Sequence, residues 1–155
     1  MLTHSLTGAL HLAACCISLL FGTLILWLPK GTTSHRKAGY IYVASMVIVN
    51  ATAFMIYRLF GGFGPFHVAA VISLATLLAG MLPVIFRRPV MGWLPLHFSF
   101  MYYSVIGLYA AFVSEIVTRV FTSHFGMWVA LGTGTTMFVG VMAFKQLQYK
   151  WKTLQ

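Results

Sequence analysis

Six histidines, a single carboxylate and two adjacent cysteines are the side chains of this 155-residue sequence with chemistry to offer near neutral pH. Four of the histidines, His11, His35, His67 and His97, fall in or beside four successive apolar stretches. If each stretch is a helix that crosses back over the last, they alternate between the two ends of the resulting bundle. His11 then shares an end with His67, and His35 with His97. Imidazoles paired between facing helices ligate b-type haem, whose iron takes the neutral ring. Arg36 is placed to meet a propionate. Counted from a second stretch that begins near residue 38, His35 lies roughly 10 Å nearer the membrane surface than His97. The outer pair, His11 with His67, differs by only about one helical turn and is the better haem candidate on that ground.

Two other chemistries fit the same residues. His4, His11, His67 and His124 gather toward one end together with Glu115, the only acid. Imidazoles with one carboxylate suit Zn²⁺ or Cu²⁺, so His11, His67 and Glu115 form an alternative metal site. Glu115 would there act as a ligand or as the base for a metal-bound water. At the opposite end, His35, Arg36 and Tyr42 suit a quinone headgroup. The sequence has no nucleophile elbow, phosphate loop, paired acids or HExxH, so the chemistries of soluble hydrolases and nucleotide enzymes find no support.

The elements that must carry these residues follow from composition. Apolar and aromatic residues make up 60% of the chain and charged residues 7%, against about a quarter charged in a soluble domain. Such a surface belongs in hydrocarbon. A crossing helix needs roughly 20 apolar residues, and five such stretches use nearly the whole chain. The expectation is an all-α integral membrane bundle, one domain over 1–155, with spans at about 5–28, 38–60, 65–86, 93–117 and 124–144. Pro29-Lys30-Gly31 stops the first helix, and Thr32, Thr33 or Ser34 caps the second. Gly64-Pro65 opens the third, and Pro83 bends its last turn. The start of the first stretch has no basic n-region and reads as a retained helix, not a signal peptide.

Orientation follows from the bases. Lys30, Arg36, Lys37, Arg87, Arg88, Lys145, Lys150 and Lys152 share one side, and only Arg58 and Arg119 lie toward the other. Eight against two puts the carboxyl terminus in the cytoplasm and the amino terminus outside. A bacterial cytoplasmic membrane is the expected location. The net charge of +9 then reflects orientation and anionic headgroups, not nucleic acid.

Within the spans the polar residues line up. Steps of three and four join His35, Gly39, Tyr42, Met46, Asn50, Ala53 and Tyr57. They likewise join His4, Gly8, His11, Cys15, Ser18 and Gly22, and His97, Met101, Ser104, Leu108, Ala111 and Glu115. Each series lies on one helix face and points to the bundle interior. Ordinary packing explains Ser18, Asn50 and Ser104 without a ligand. Gly132, Thr136 and Gly140 form a small-residue stripe, suited to packing within the bundle or to a homo-oligomer seam. Cys15 and Cys16 diverge by about 100° on a helix and do not form a disulfide.

From Gly31 through His35-Arg36 and Gly39-Tyr40-Ile41-Tyr42 to Met46 and Asn50, the chain resembles the DUF2306 family of small membrane proteins. Gly64-Pro65-Phe66-His67 fits the same family. So do His97, Met101, Gly107-Leu108-Tyr109-Ala110-Ala111 and Glu115. The resemblance implies a small helical bundle and singles out His11, His35, Arg36, His67, His97 and Glu115, but implies no reaction. The alternating histidines are also similar in arrangement to the cytochrome b561 group, a likeness of architecture alone. Electron transfer through haem b is therefore the leading expectation. A divalent-metal protein and a non-catalytic subunit of a membrane complex stand beside it.

Overall fold

Helix boundaries are set by a few punctuating residues. A computed structural model describes residues 5–56, 61–87, 92–121 and 123–152, the side chains of 147–152 excepted. His4, Tyr57, Arg58, Arg88, Pro89 and the side chains of Lys150 and Lys152 lie outside the described residues. The chain forms five helices: α1 (Leu6–Trp27), α2 (Thr33–Ala53), α3 (Pro65–Phe86), α4 (Trp93–Val120) and α5 (Phe125–Lys152). Among the described residues there is no strand. Ser5 caps α1 by accepting from the Gly8 amide, and Thr32 caps α2 by accepting from the His35 amide. Pro65 occupies the first turn of α3, where its missing N–H costs nothing.

Bounds at four places differ from the sequence expectation. α2 begins at Thr33, not near 38, because the Thr32 cap nucleates a first turn whose own residues are all polar or basic. It ends at Ala53, followed by a turn, and does not run on to 60 as a regular helix. α4 and α5 continue past 117 and 144 to Val120 and Lys152.

Four helices are long and apolar enough to cross a membrane: α1, α3, α4 and the Phe125–Gln146 part of α5. α2 falls short on composition, since it carries Thr33, Ser34, His35, Arg36, Lys37, Ser45, Asn50 and Thr52. Its distribution of polarity is nevertheless ordered. Tyr42, Ser45, Met46, Val49, Asn50 and Thr52 are buried, while Tyr40, Ile41, Val47, Ile48 and Met55 face outward. Among the described residues many large apolar side chains face outward, with Leu20, Ile72, Ile85 and Phe138 all more than 60% exposed. A water-soluble monomer does not present so much continuous apolar area. The protein is an integral membrane helical protein.

The chain divides into two compact units, Met1–Met101 and Tyr102–Gln155, with the division inside α4. In the first unit α1 and α2 form an antiparallel hairpin. Ser18 Oγ donates to Ser45 Oγ at 2.8 Å, and both side chains are buried. His11 and Thr52 meet nearer the other end of the same pair. α2 also packs on α3. The start of α4 sits close on α3, where a Cβ on Gly80 would come within 2.8 Å of Met101 Sδ. With lipid as solvent there is no hydrophobic gain in joining helices, so such close contacts and interhelical hydrogen bonds supply the cohesion.

In the second unit α5 packs on α4 through its glycines. A Cβ on Gly132 would lie 3.0 Å from Ser114 Oγ, and one on Gly140 would lie 2.5 Å from Ile106 Cγ2. Tyr102 donates its hydroxyl to the Gly140 carbonyl at 2.8 Å, and Ser114 Oγ pairs with Thr133 Oγ1 at 2.9 Å. The small residues Gly132 and Gly140 thus serve packing within the chain.

Candidate functional site

At the end of the first unit that carries Lys30, α1, α2, α3 and α4 bring together residues far apart in sequence. At the end of α1 the carbonyls of the last turn have no helical partners. Lys30, two residues past the cap, turns back and donates its ammonium to Ile25 O at 2.6 Å and Leu26 O at 2.9 Å. A cation at a helix carboxyl terminus is favoured by both the hydrogen bonds and the dipole. Gly31, with φ +79°, then reverses the chain, and Thr32 starts α2.

That start places His35 in the first turn of α2, half-buried. Its ring lies near the Ile25 carbonyl and within electrostatic reach of Lys30 and His97. Nδ1 of His35 is shielded and has no hydrogen-bond partner.

His97 arrives from the second turn of α4. Its Nδ1 lies 2.8 Å from the carbonyl of Gly80 on α3. A carbonyl only accepts, so the proton is on Nδ1 and the neutral ring carries its lone pair on Nε2. Gly80 has no side chain to cover that carbonyl. His97 is thus oriented by a backbone carbonyl with its other ring nitrogen left over, the arrangement that readies a histidine as a ligand.

This reverses the depth argument made from sequence. His35 is the third residue of α2 and His97 the fifth of α4. Two residues of helix amount to about 3 Å of rise, not 10 Å.

The outer histidines stand differently. His11 Nδ1 lies 2.7 Å from Thr52 Oγ1, and Thr52 is itself within donating distance of the Ile48 and Val49 carbonyls. With the hydroxyl proton spent on those carbonyls, Thr52 accepts from His11 Nδ1. His67 is 3% exposed, and its Nδ1 accepts the Gly64 amide at 3.1 Å. That bond leaves the proton of the neutral ring on Nε2, which works against ligation by His67. Its ring also lies 5.1 Å from Phe63 and 6.5 Å from Phe54, centroid to centroid.

The remaining expected residues are scattered in role. Glu115 is paired with Arg119 one turn on, at an exposed position of α4. Arg36 is exposed, and Tyr42 is fully buried two turns beyond His35. His124 is exposed in the turn before α5, with φ +57°. Cys15 and Cys16 are unbridged. Among the described residues no three His, Cys, Asp or Glu side chains come together as a metal would require. Lys30, Ile25, Gly80 and Thr52 were not singled out as site residues from sequence.

A helical membrane protein with a pair of imidazoles at one end is the class these observations define. The chain belongs to the DUF2306 family, described as a predicted membrane protein, which it matches over residues 8–148. No curated protein and no solved structure matches it.

Proposed function

We propose that the protein moves electrons through a b-type haem held between His35 and His97. The observation that carries this reading is the His97 ring, held by the Gly80 carbonyl on α3, together with the shielded and unpartnered Nδ1 of His35 on α2. Haem iron needs only two axial ligands from the protein, because the macrocycle supplies the other four. Zn²⁺ or Cu²⁺ needs three or four protein donors, and no such set gathers among the described residues. Lys30, Arg36 and Arg87 provide positive charge at that end for the propionates. A bound haem would supply one-electron chemistry; the chain's own residues orient the ligand rings and exclude water from His35 Nδ1.

The same reading takes all five helices as spans, with the amino terminus outside and the pair near the cytoplasmic surface of a bacterial inner membrane. For α2 it rests on the outward apolar face of Tyr40, Ile41, Val47 and Ile48, which lets the helix contact lipid despite its polar content. The bias of eight bases against two supports the orientation.

An optical spectrum of protein purified from haem-replete cells tests the proposal. A Soret band and sharp α-bands on reduction are expected. His35→Ala and His97→Ala should abolish them, while His11→Ala and His67→Ala should leave them. The opposite pattern would return the haem to the outer pair. A colourless preparation with stoichiometric zinc or copper would overturn the haem reading in favour of a site involving His11, His67 or Glu115. Neither colour nor metal would favour a quinone site at His35, Arg36 and Tyr42, or a subunit of a larger complex.

A further inference from the structure

α2 presents one outward face whose character changes along its length. Arg36 and Lys37 are exposed near its start, and steps of three and four lead from them to Tyr40 and Ile41, then Ala44, then Val47 and Ile48. Every one of these is exposed, Tyr40 by 67%. Arg36 stands one turn before Tyr40 and Lys37 one turn before Ile41, so each base heads an aromatic or aliphatic strip.

The other described cations of that end are engaged. Lys30 donates to Ile25 O and Leu26 O, and the Arg87 guanidinium lies 4.8 Å from the centre of the Trp93 ring. The side chains of Arg36 and Lys37 make no hydrogen bond or ion pair among the described residues. Residues 1–101 contain no Asp or Glu, and the single acid, Glu115, is paired with Arg119. The plain account is that the two bases orient the helix and are met by water. An orienting charge, however, needs no particular residues beneath it. Here charge, then a tyrosine, then hydrocarbon follow one another in the order of a phospholipid's own parts.

We infer that Arg36 and Lys37 hold the phosphate of an anionic phospholipid whose acyl chains lie along the strip from Tyr40 to Ile48. Arg36 offers the forked N–H geometry that suits phosphate, and Lys37 adds a second positive charge. The inference rests on the five-span reading, in which this face of α2 meets the bilayer, and not on the haem.

Native mass spectrometry of the full chain in mild detergent, with phosphatidylglycerol or phosphatidylcholine added, tests it. The wild type should retain phosphatidylglycerol in preference. Lys37→Gln should weaken that retention about fivefold, and Lys37→Arg should restore it. Equal retention of both lipids by the wild type would overturn the inference. So would an equal loss in Lys145→Gln, a base of the second unit, because net charge alone would then be read. Glycerol phosphate, with the phosphate but no chains, should not displace the lipid at equal concentration; displacement would assign the site to a free phosphate ester instead. A nitroxide at Val47→Cys, in Cys15→Ser/Cys16→Ser protein reconstituted in a bilayer, tests the underlying reading by its contact with oxygen. A label in lipid, with Lys37→Gln retaining phosphatidylglycerol as the wild type does, overturns the inference and leaves the five spans intact. A label in water overturns both.

Discussion

His97 donates its Nδ1 proton to the carbonyl of Gly80 across 2.8 Å, joining the start of α4 to the middle of α3. The bond depends on a close approach that only glycine permits. A Cβ at position 80 would meet Met101 Sδ at 2.8 Å and the Met101 amide nitrogen at 3.2 Å. The thioether can rotate away, but the backbone cannot. Gly80→Ala should push the two helices apart and lengthen this bond, costing about 1–3 kcal/mol as an overpacking change. On the haem reading it should also broaden or weaken the Soret band. A Gly80→Ala protein as stable as the wild type, with an identical spectrum, would show that the contact does not position His97.

At the other glycine contact the obstruction is a side chain that can be cut back. Gly140→Ala should destabilise the second unit by about 1–3 kcal/mol, because Ile106 is β-branched and has few rotamers to retreat into. Adding Ile106→Ala should recover much of the loss. Melting in a mild detergent of the two single variants and the double variant gives the coupling directly. Additive losses would mean that Gly140 and Ile106 do not press on one another.

The Ser18–Ser45 bond tests how α1 and α2 cohere. Ser45 Oγ also lies 2.9 Å from the Tyr42 carbonyl, so its own proton goes to the backbone and it accepts from Ser18. A double-mutant cycle with Ser18→Ala and Ser45→Ala should return a coupling of about 0.6 kcal/mol, the scale of interhelical hydrogen bonds in membrane proteins. A coupling indistinguishable from zero would assign the pair to packing alone.

Trp128 offers a simpler check on the outer part of α5. Its ring stacks on Phe121 at 4.2 Å between centroids, while its Nε1–H is buried without a hydrogen-bond partner. Trp128→Phe keeps the stack and removes the unmet donor, so the change should lie within about 1 kcal/mol of neutral. A loss above that range would reveal a partner for the indole.

Much of this was readable in the sequence where one local rule acted alone. Gly64-Pro65 placed the start of α3 at its observed residue, and the three- and four-residue walk through Tyr42, Met46 and Asn50 identified the buried face of α2. The same walk failed on α4 at Ala111, which is exposed. The start of α2 was misplaced for a physical reason. Thr33 through Lys37 shows no apolar periodicity, so nothing but the Thr32 cap marks it as helix, and a cap carries weak information until its partner is seen. With the start displaced by five residues, His35 looked too shallow to meet His97. The hydrogen bond to the Gly80 carbonyl had no side-chain signature at all, and it decides which nitrogen of the His97 ring holds the proton.

The sidedness of α2 bears on how the protein is made. Its inward residues Ser45, Asn50 and Thr52 are covered only once α1 and α3 are in place, and Ser45 and Thr52 meet partners on α1. Released by itself into lipid during synthesis, this segment would face hydrocarbon with its polar side uncovered. On the five-span reading, α2 therefore enters the bilayer as the second arm of a hairpin. The insertion machinery must hold α1 until α2 has emerged beside it.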